Sequence, residues 1–395
     1  MVPWSGPWDE TNPNGSLGGH FMQVKLSRIG WRLGVISHLS VNLYGYVQKS
    51  TPCFIYGPIF RTSLAGCPVV VSIDPEFNHH IAKQEGRPVE LWYLDSYSKI
   101  FTMEGESKTT AHGLLHRYLR SIILNHLGAE ALEKTLLSQI EELVVKALQT
   151  WSSQPSVEVK HAASVDQTEA VYMLRKIIKE RINSPENHHG DFLDQAINDI
   201  DTEKYLTEDI IIYSLFGLLY TNFDAISSII AFTLKLLEDQ PKVLQELQAE
   251  HEAILKGREN PSSTLTWNEY KLMTFTFQVI NEVLRIAAVS PGLLRRALKD
   301  IEYKGMLSNA YIWLSSFIYI WKDLDPLVVS KNFMPFGGGI RKCPGADYAK
   351  AFLATFLHVL VTKYRWTRLK GGNIARSPLL GFTDGLHIRI TKKSS

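Results

Sequence analysis

Phe333-Met-Pro-Phe-Gly-Gly-Gly-Ile-Arg-Lys-Cys-Pro-Gly345 is the stretch on which the reading of this chain turns. One cysteine, Cys343, follows three successive glycines and precedes a long apolar segment, 346–366. Gly337, Gly338 and Gly339 allow a tight turn and a close approach to a flat object, which a Cβ would prevent. Pro344 suits the first turn of a helix, where its missing N–H costs nothing. Cys343 then stands at a helix N-terminus, where unpaired N–H groups and the helix dipole favour thiolate over thiol, and Arg341 adds a positive charge. The pattern reads as a loop presenting a thiolate to a metal. The plainer alternative is a core cysteine beside a glycine turn.

Downstream, 346–363 reads as a helix, 379–382 as a loop turning back, and 386–391 as an alternating strand. Upstream, 267–288 reads as one helix carrying Glu282 and Arg285, an i,i+3 pair on one face. Before it, 207–237 is the longest apolar segment, with Thr207 as N-cap and Glu208 and Asp209 in the first turn. Its polar residues Ser214, Asn222, Asp224, Ser227 and Ser228 argue against a membrane span. Further helices are expected over 75–83, 114–127, 129–151, 168–182 and 241–255, and strands over 59–62 and 68–73. The stretch 90–110 reads as a loop whose Trp92, Tyr93, Tyr97 and Phe101 face either core or ligand. On 114–127, His116 and Arg120 share a face at i and i+4.

At 395 residues and 45% hydrophobic, the chain can bury a large core. Its 42 basic and 40 acidic residues leave a net charge of +2, which does not suggest a nucleic-acid binder. Cys53, Cys67 and Cys343 match no zinc spacing and no disulfide framework, so a reducing compartment is the simplest reading. Residues 1–55 read as an irregular N-terminal segment without a signal peptide or membrane anchor, and 56–395 as one domain.

Phe336, Gly337, Gly339, Arg341, Cys343 and Gly345 together resemble the haem-binding loop of the cytochrome P450 superfamily. Stretches such as 265–278 and 360–366 look like plant family 87, in the clan that oxidises sterols, brassinosteroids and triterpenoids. The resemblance implies a mainly α fold with small β-sheets, shortened relative to the family. It implies haem b with Cys343 as axial thiolate. Arg120 and Arg295 would hold propionates, with His116 where the family usually has Trp, and with Arg341 assisting. Glu282 and Arg285 match the structural Glu-x-x-Arg pair. On the central helix Asp224 matches the distal acid, Ala225 replaces the usual Thr, and Thr221 or Ser228 are left to organise water. The implied reaction is hydroxylation of an apolar terpenoid or sterol with O₂ and electrons from NADPH through NADPH–cytochrome P450 reductase. Arg341, Lys342 and Lys350 would offer that reductase a basic face. The expected location is the cytosolic face of the endoplasmic reticulum, by peripheral membrane contact.

Three departures accompany the resemblance. The family's roof helices between the equivalents of 151 and 168 are missing. The distal Thr is replaced. The Pro-x-Arg-Phe/Trp element before the haem loop is missing too. Two other readings follow: a haem-thiolate isomerase or dehydratase acting on an already oxygenated substrate, and a degenerate P450 that does not hold haem.

Overall fold

The computed structural model describes residues 57–92, 114–160, 167–183, 189–315 and 333–393, apart from short gaps at 65–66, 87, 204, 259, 261–262, 291, 304–305, 309–310 and 377–379. The fold begins with two antiparallel strands, β1 (Ile59–Leu64) and β2 (Cys67–Ser72), in which Phe60 faces Val71. Asp74 then caps helix α1 (Pro75–Lys83): its carboxylate accepts the Phe77 N–H at 2.7 Å, and Pro75 opens the first turn. The chain returns to the sheet as β3 (Val89–Leu91), so 90–91 is strand and not loop. It pairs there because its partner comes from far along the sequence: β3 lies antiparallel to β5 (Gly292–Ala297). Trp92 stacks on Tyr311 with ring centroids 4.0 Å apart, which is packing against protein; Tyr93, Tyr97 and Phe101 lie outside the described residues.

The helical body follows. It comprises α2 (Leu114–Leu127), a turn of helix and a π turn leading into α3 (Leu137–Ser152), and the short strand β4 (Val157–Glu158). Then come α4 (Gln167–Asn183), α5 (Phe192–Asn198), α6 (Glu208–Asp239) and α7 (Pro241–Lys256). Thr207 caps α6 as expected, accepting the Ile210 N–H at 3.2 Å. Eight residues separate β4 from α4.

The expected single helix 267–288 is two: α8 (Trp267–Leu272) and α9 (Thr274–Ala287). The break lies at Met273, and Glu250 of α7 explains it. That carboxylate accepts the backbone N–H groups of Phe275 at 2.7 Å and Thr276 at 2.9 Å, capping α9 from another helix. The sheet is completed by β8 (Tyr311–Ser315), giving the order β1-β2-β8-β5-β3, with β2 and β8 parallel. Between β5 and β8 lies a small hairpin, β6 (Ile301–Tyr303) and β7 (Met306–Ser308).

Helix α10 (Ala346–Lys363) runs through the main core, where Ala351, Ala354, Val359 and Leu360 are fully buried. It packs against α3, α7 and α9. The chain ends in β9 (Tyr364–Gly371), β10 (Ile374–Arg376), β11 (Leu380–Phe382) and β12 (Leu386–Lys392). The sequence Leu380–Phe382 is thus a strand paired with β10.

Candidate active site

The loop before α10 closes as a hairpin: the Cys343 N–H donates to the Phe336 carbonyl at 2.9 Å, and the Gly337 N–H to the Met334 carbonyl at 3.0 Å. Gly337 and Gly339 sit at φ 72° and 64°, in the left-handed region that favours glycine. Gly339 has a second reason to lack a side chain: a Cβ there would collide with the Ala82 carbonyl, so the loop rests on the end of α1. Gly345 is the N-cap of α10, which puts Pro344 one residue before the cap and not in the first turn.

Cys343 is solvent-accessible at a crowded place. Burial pushes its thiol up; a backbone N–H from Gly345 and the charges of Arg120 and Lys342 pull the other way. The helix terminus and the cations therefore favour thiolate without outweighing desolvation, so the bare thiol is not the strong acid that the sequence pattern suggests. An exposed cysteine whose thiol has a backbone donor and cations about it suits a thiolate ligand to a metal.

The expected cationic residues fall into two groups. Arg120 of α2 reaches the loop, its guanidinium donating to the Lys342 carbonyl. Arg295 of β5 is 2% exposed, whereas its neighbour Arg296 is half-buried, with its side chain 41% exposed, and pairs with Glu90. Of the adjacent arginines, only Arg295 therefore points inward. Arg341 is also inward, with its side chain 11% exposed, so it adds nothing to a basic outer face. Lys350 is half-buried over the Phe336 ring. Lys342 is the exposed member of the three. His116 is half-buried on α2. Sequence reasoning missed Glu85: its carboxylate meets both Arg295 and Arg341. No local motif signals it, because its two partners lie more than 200 residues away.

Glu282 and Arg285 form a two-point ion pair, with both N–O distances 2.7 Å, and the Arg285 bond holds the Glu282 carboxyl below the usual carboxylate range. On α6, Asp224 pairs with Lys160 at 2.9 Å. Lys160 lies just after β4 and approaches the Leu380 carbonyl at 3.5 Å, which also accepts the buried Ser228 hydroxyl at 3.1 Å. The Thr221 hydroxyl donates to its own helix at the Gly217 carbonyl, 2.7 Å away. Neither Thr221 nor Ser228 is hydrogen-bonded to Asp224 here; the partner of the acid is a lysine that the sequence did not indicate. One stretch of α6 lies open, with Tyr213 45%, Tyr220 50% and Phe223 41% exposed.

A family model for cytochrome P450 matches residues 158–308. The chain is 41% identical over 460 residues to a cucurbitadienol 11-hydroxylase of Siraitia grosvenorii, covering 99% of this chain and 96% of that one. It belongs to the cytochrome P450 family. The P450 is also 37% identical over 451 residues to the beta-amyrin 16-alpha-hydroxylase CYP87D16 of Maesa lanceolata, covering 97% and 93% of the two chains. It is 36% identical over 414 residues to cytochrome P450 87A3 of Oryza sativa subsp. japonica, covering 86% and 79%. Its fold matches a retinoic acid-bound cyanobacterial P450, CYP120A1, with a TM-score of 0.72 at 19% identity, over 87% of this chain and 94% of that one.

The expected mainly α fold with small sheets, the resemblance to plant family 87 and the identity as a P450 monooxygenase are borne out. So is the cofactor, cysteine-ligated haem b. The 460-position match exceeds the 395 residues of this P450, so segments of that relative have no counterpart here.

Proposed function

We propose that this P450 hydroxylates an apolar triterpenoid, with Cys343 as the residue that would ligate haem b. The observation that carries the reading is the exposed residue Cys343, its thiol faced by the Gly345 N–H and flanked by Arg120 and Lys342. The names of two similar relatives, hydroxylases of cucurbitadienol and beta-amyrin, support the substrate class. The bound haem supplies the activation of O₂, with electrons from NADPH through a reductase. The protein's part is to hold and orient. Arg120, Arg295 and Arg341 would hold the anionic edge of the cofactor. Glu282 and Arg285 brace α9. Asp224 is the catalytic carboxylate of α6, held by its ion pair with Lys160. Thr221 and His116 belong to the same two helices, as a hydroxyl near Asp224 and a ring one turn before Arg120. The open stretch of α6 gives a bulky polycyclic substrate an apolar floor. The enzyme works at the endoplasmic reticulum, where its substrate partitions.

The first test is the reduced, carbon-monoxide-bound difference spectrum of the purified protein beside Cys343→Ala. A strongly red-shifted Soret band lost in the variant is expected. No haem signal, or one unchanged by the substitution, would sink the reading. Titration with cucurbitadienol, beta-amyrin and a plant sterol then tests the substrate class, and turnover of a triterpene by microsomes containing the reductase tests the reaction. A second reading draws on the Thr221 hydroxyl being bound to its own helix: a haem-thiolate protein that rearranges an oxygenated substrate without O₂. Conversion in the absence of reductase would favour it.

A further inference from the structure

Glu85, two residues past the end of α1, is a charged residue whose side chain is 1% exposed. One carboxylate oxygen lies 2.7 Å from Nε of Arg295, and the other lies 3.4 Å from Nε of Arg341. The three side chains come from three separate elements: the end of α1, the inner face of β5 and the turn before Cys343. Two guanidinium groups this deeply buried repel each other and cannot shed their protons, so something must balance them. Glu85 is placed to do so, leaving the cluster with a net charge of +1. It meets both arginines at Nε, the inner edge of the guanidinium, rather than at the two terminal nitrogens. The Gly339–Ala82 contact brings the same loop onto the same helix end three residues earlier, so Glu85 is held by backbone packing as well as by charge.

We propose that Glu85 is a positioning residue of the cofactor site: a buried carboxylate that fixes Arg295 and Arg341 in register with each other and sets the charge the cofactor's anionic edge meets. The proposal rests on the haem-thiolate reading of Cys343. With the carboxylate in place, the guanidinium planes are oriented before the cofactor arrives, and less ordering is left to pay on binding. Without it, two buried cations move apart or draw in solvent, and the loop carrying Cys343 moves with Arg341.

The test uses the full chain loaded with haem, as wild type, Glu85→Gln, Glu85→Asp and the control Glu90→Gln, which removes the outer ion pair to Arg296 on the same sheet. Haem content, the rate of haem loss to excess apomyoglobin and the ferric/ferrous midpoint potential are measured. Glu85→Gln is expected to lose haem at least about tenfold faster, as when an outer partner of a ligand-holding group is removed. Its potential should move in the positive direction, because a negative charge near the cofactor has gone. Glu85→Asp recovers part of both changes, and Glu90→Gln leaves both at wild type. If Glu85→Gln does not fold by circular dichroism, Glu85→Gln/Arg341→Met removes a cation with the anion, and its recovery of folded protein supports the charge-balancing role. Wild-type loss rate and potential in Glu85→Gln would overturn the proposal alone, as would failure of the double variant to fold. A wild-type chain that takes up no thiolate-ligated haem would overturn the reading of the site and the proposal with it.

Discussion

Apart from the cysteine loop in role, α7, α9 and α10 are joined by a buried polar chain whose response to acid can be worked out. An Arg258 guanidinium nitrogen lies 3.5 Å from Nε2 of His358, and the Nδ1 atoms of His358 and His251 are 3.0 Å apart. Nε2 of His251 is 3.1 Å from the Thr276 hydroxyl, which donates to Glu250 at 2.5 Å. Arginine can only donate, and the Glu250 carboxylate only accepts. One proton arrangement therefore satisfies every link: Arg258 to His358, His358 to His251, His251 to Thr276, Thr276 to Glu250. Both imidazoles must be neutral, since a further proton would set two N–H groups against each other. Burial lowers the His251 pKa to about 4, with Glu250 opposing it. Burial, then the charges of His251, Arg258 and Lys363, lowers that of His358 to about 3.

The folded pKa of both groups is depressed below 6.5, so the unfolded chain binds protons that the folded chain refuses. Stability from this source is complete above 6.5 and declines as pH falls from there towards 4 and then 3. Each histidine costs about 1.4 kcal/mol per pH unit inside that window. Going from pH 7 to pH 5 therefore removes about 4 kcal/mol for the pair, a large share of a typical net stability of about 5–15 kcal/mol. Urea unfolding at both pH values, for wild type and His251→Leu/His358→Leu, measures it. The double variant is chosen because Arg258 keeps Glu269 at 2.5 Å and Thr276 keeps Glu250. Its loss of stability between pH 7 and 5 should be smaller than that of wild type by about 4 kcal/mol. Equal losses in the two proteins would refute the proton arrangement and the burial argument together.

Three other outcomes are expected. Gly339→Ala forces a Cβ into the Ala82 carbonyl at a left-handed φ, so Soret absorbance per protein should collapse while the far-ultraviolet helical signal persists. Lys160→Met removes the partner of Asp224 from a pair that is 34% and 26% exposed; the unfolding free energy should change by under about 1 kcal/mol. Product formed per NADPH consumed should nevertheless fall several-fold, and an unchanged ratio would remove Lys160 from the account. Thr266→Ala breaks the reciprocal cap with Glu269 at the start of α8 and should cost about 1 kcal/mol in denaturant unfolding, with the carbon monoxide spectrum unaltered.

The cysteine loop was legible because its constraints are local. Glycines at positive φ, a cysteine hydrogen-bonded back across its own hairpin and a helix beginning just after it all fall within a dozen residues. The long helices were legible for the same reason: hydrophobic period and an N-cap such as Thr207 act over one or two turns. What could not be read depends on partners distant in sequence. The break at Met273 is bound up with Glu250, and β3 exists because β5 runs beside it. Arg341 follows the same rule. Its charge suggested an outer docking face, and Glu85 turns it inward.

The sequence by itself determined the thiolate loop, its following helix and the arginines available to a cofactor, because backbone conformation and helix capping are short-range properties. Only the tertiary structure decided which of those charges meet one another. Glu85 with Arg295 and Arg341, Lys160 with Asp224, and the proton-ordered chain from Arg258 to Glu250 each need side chains brought together from separate elements. In a buried site the energy of a charge is set by its nearest opposite charge and its distance from water, and neither quantity is written along the chain.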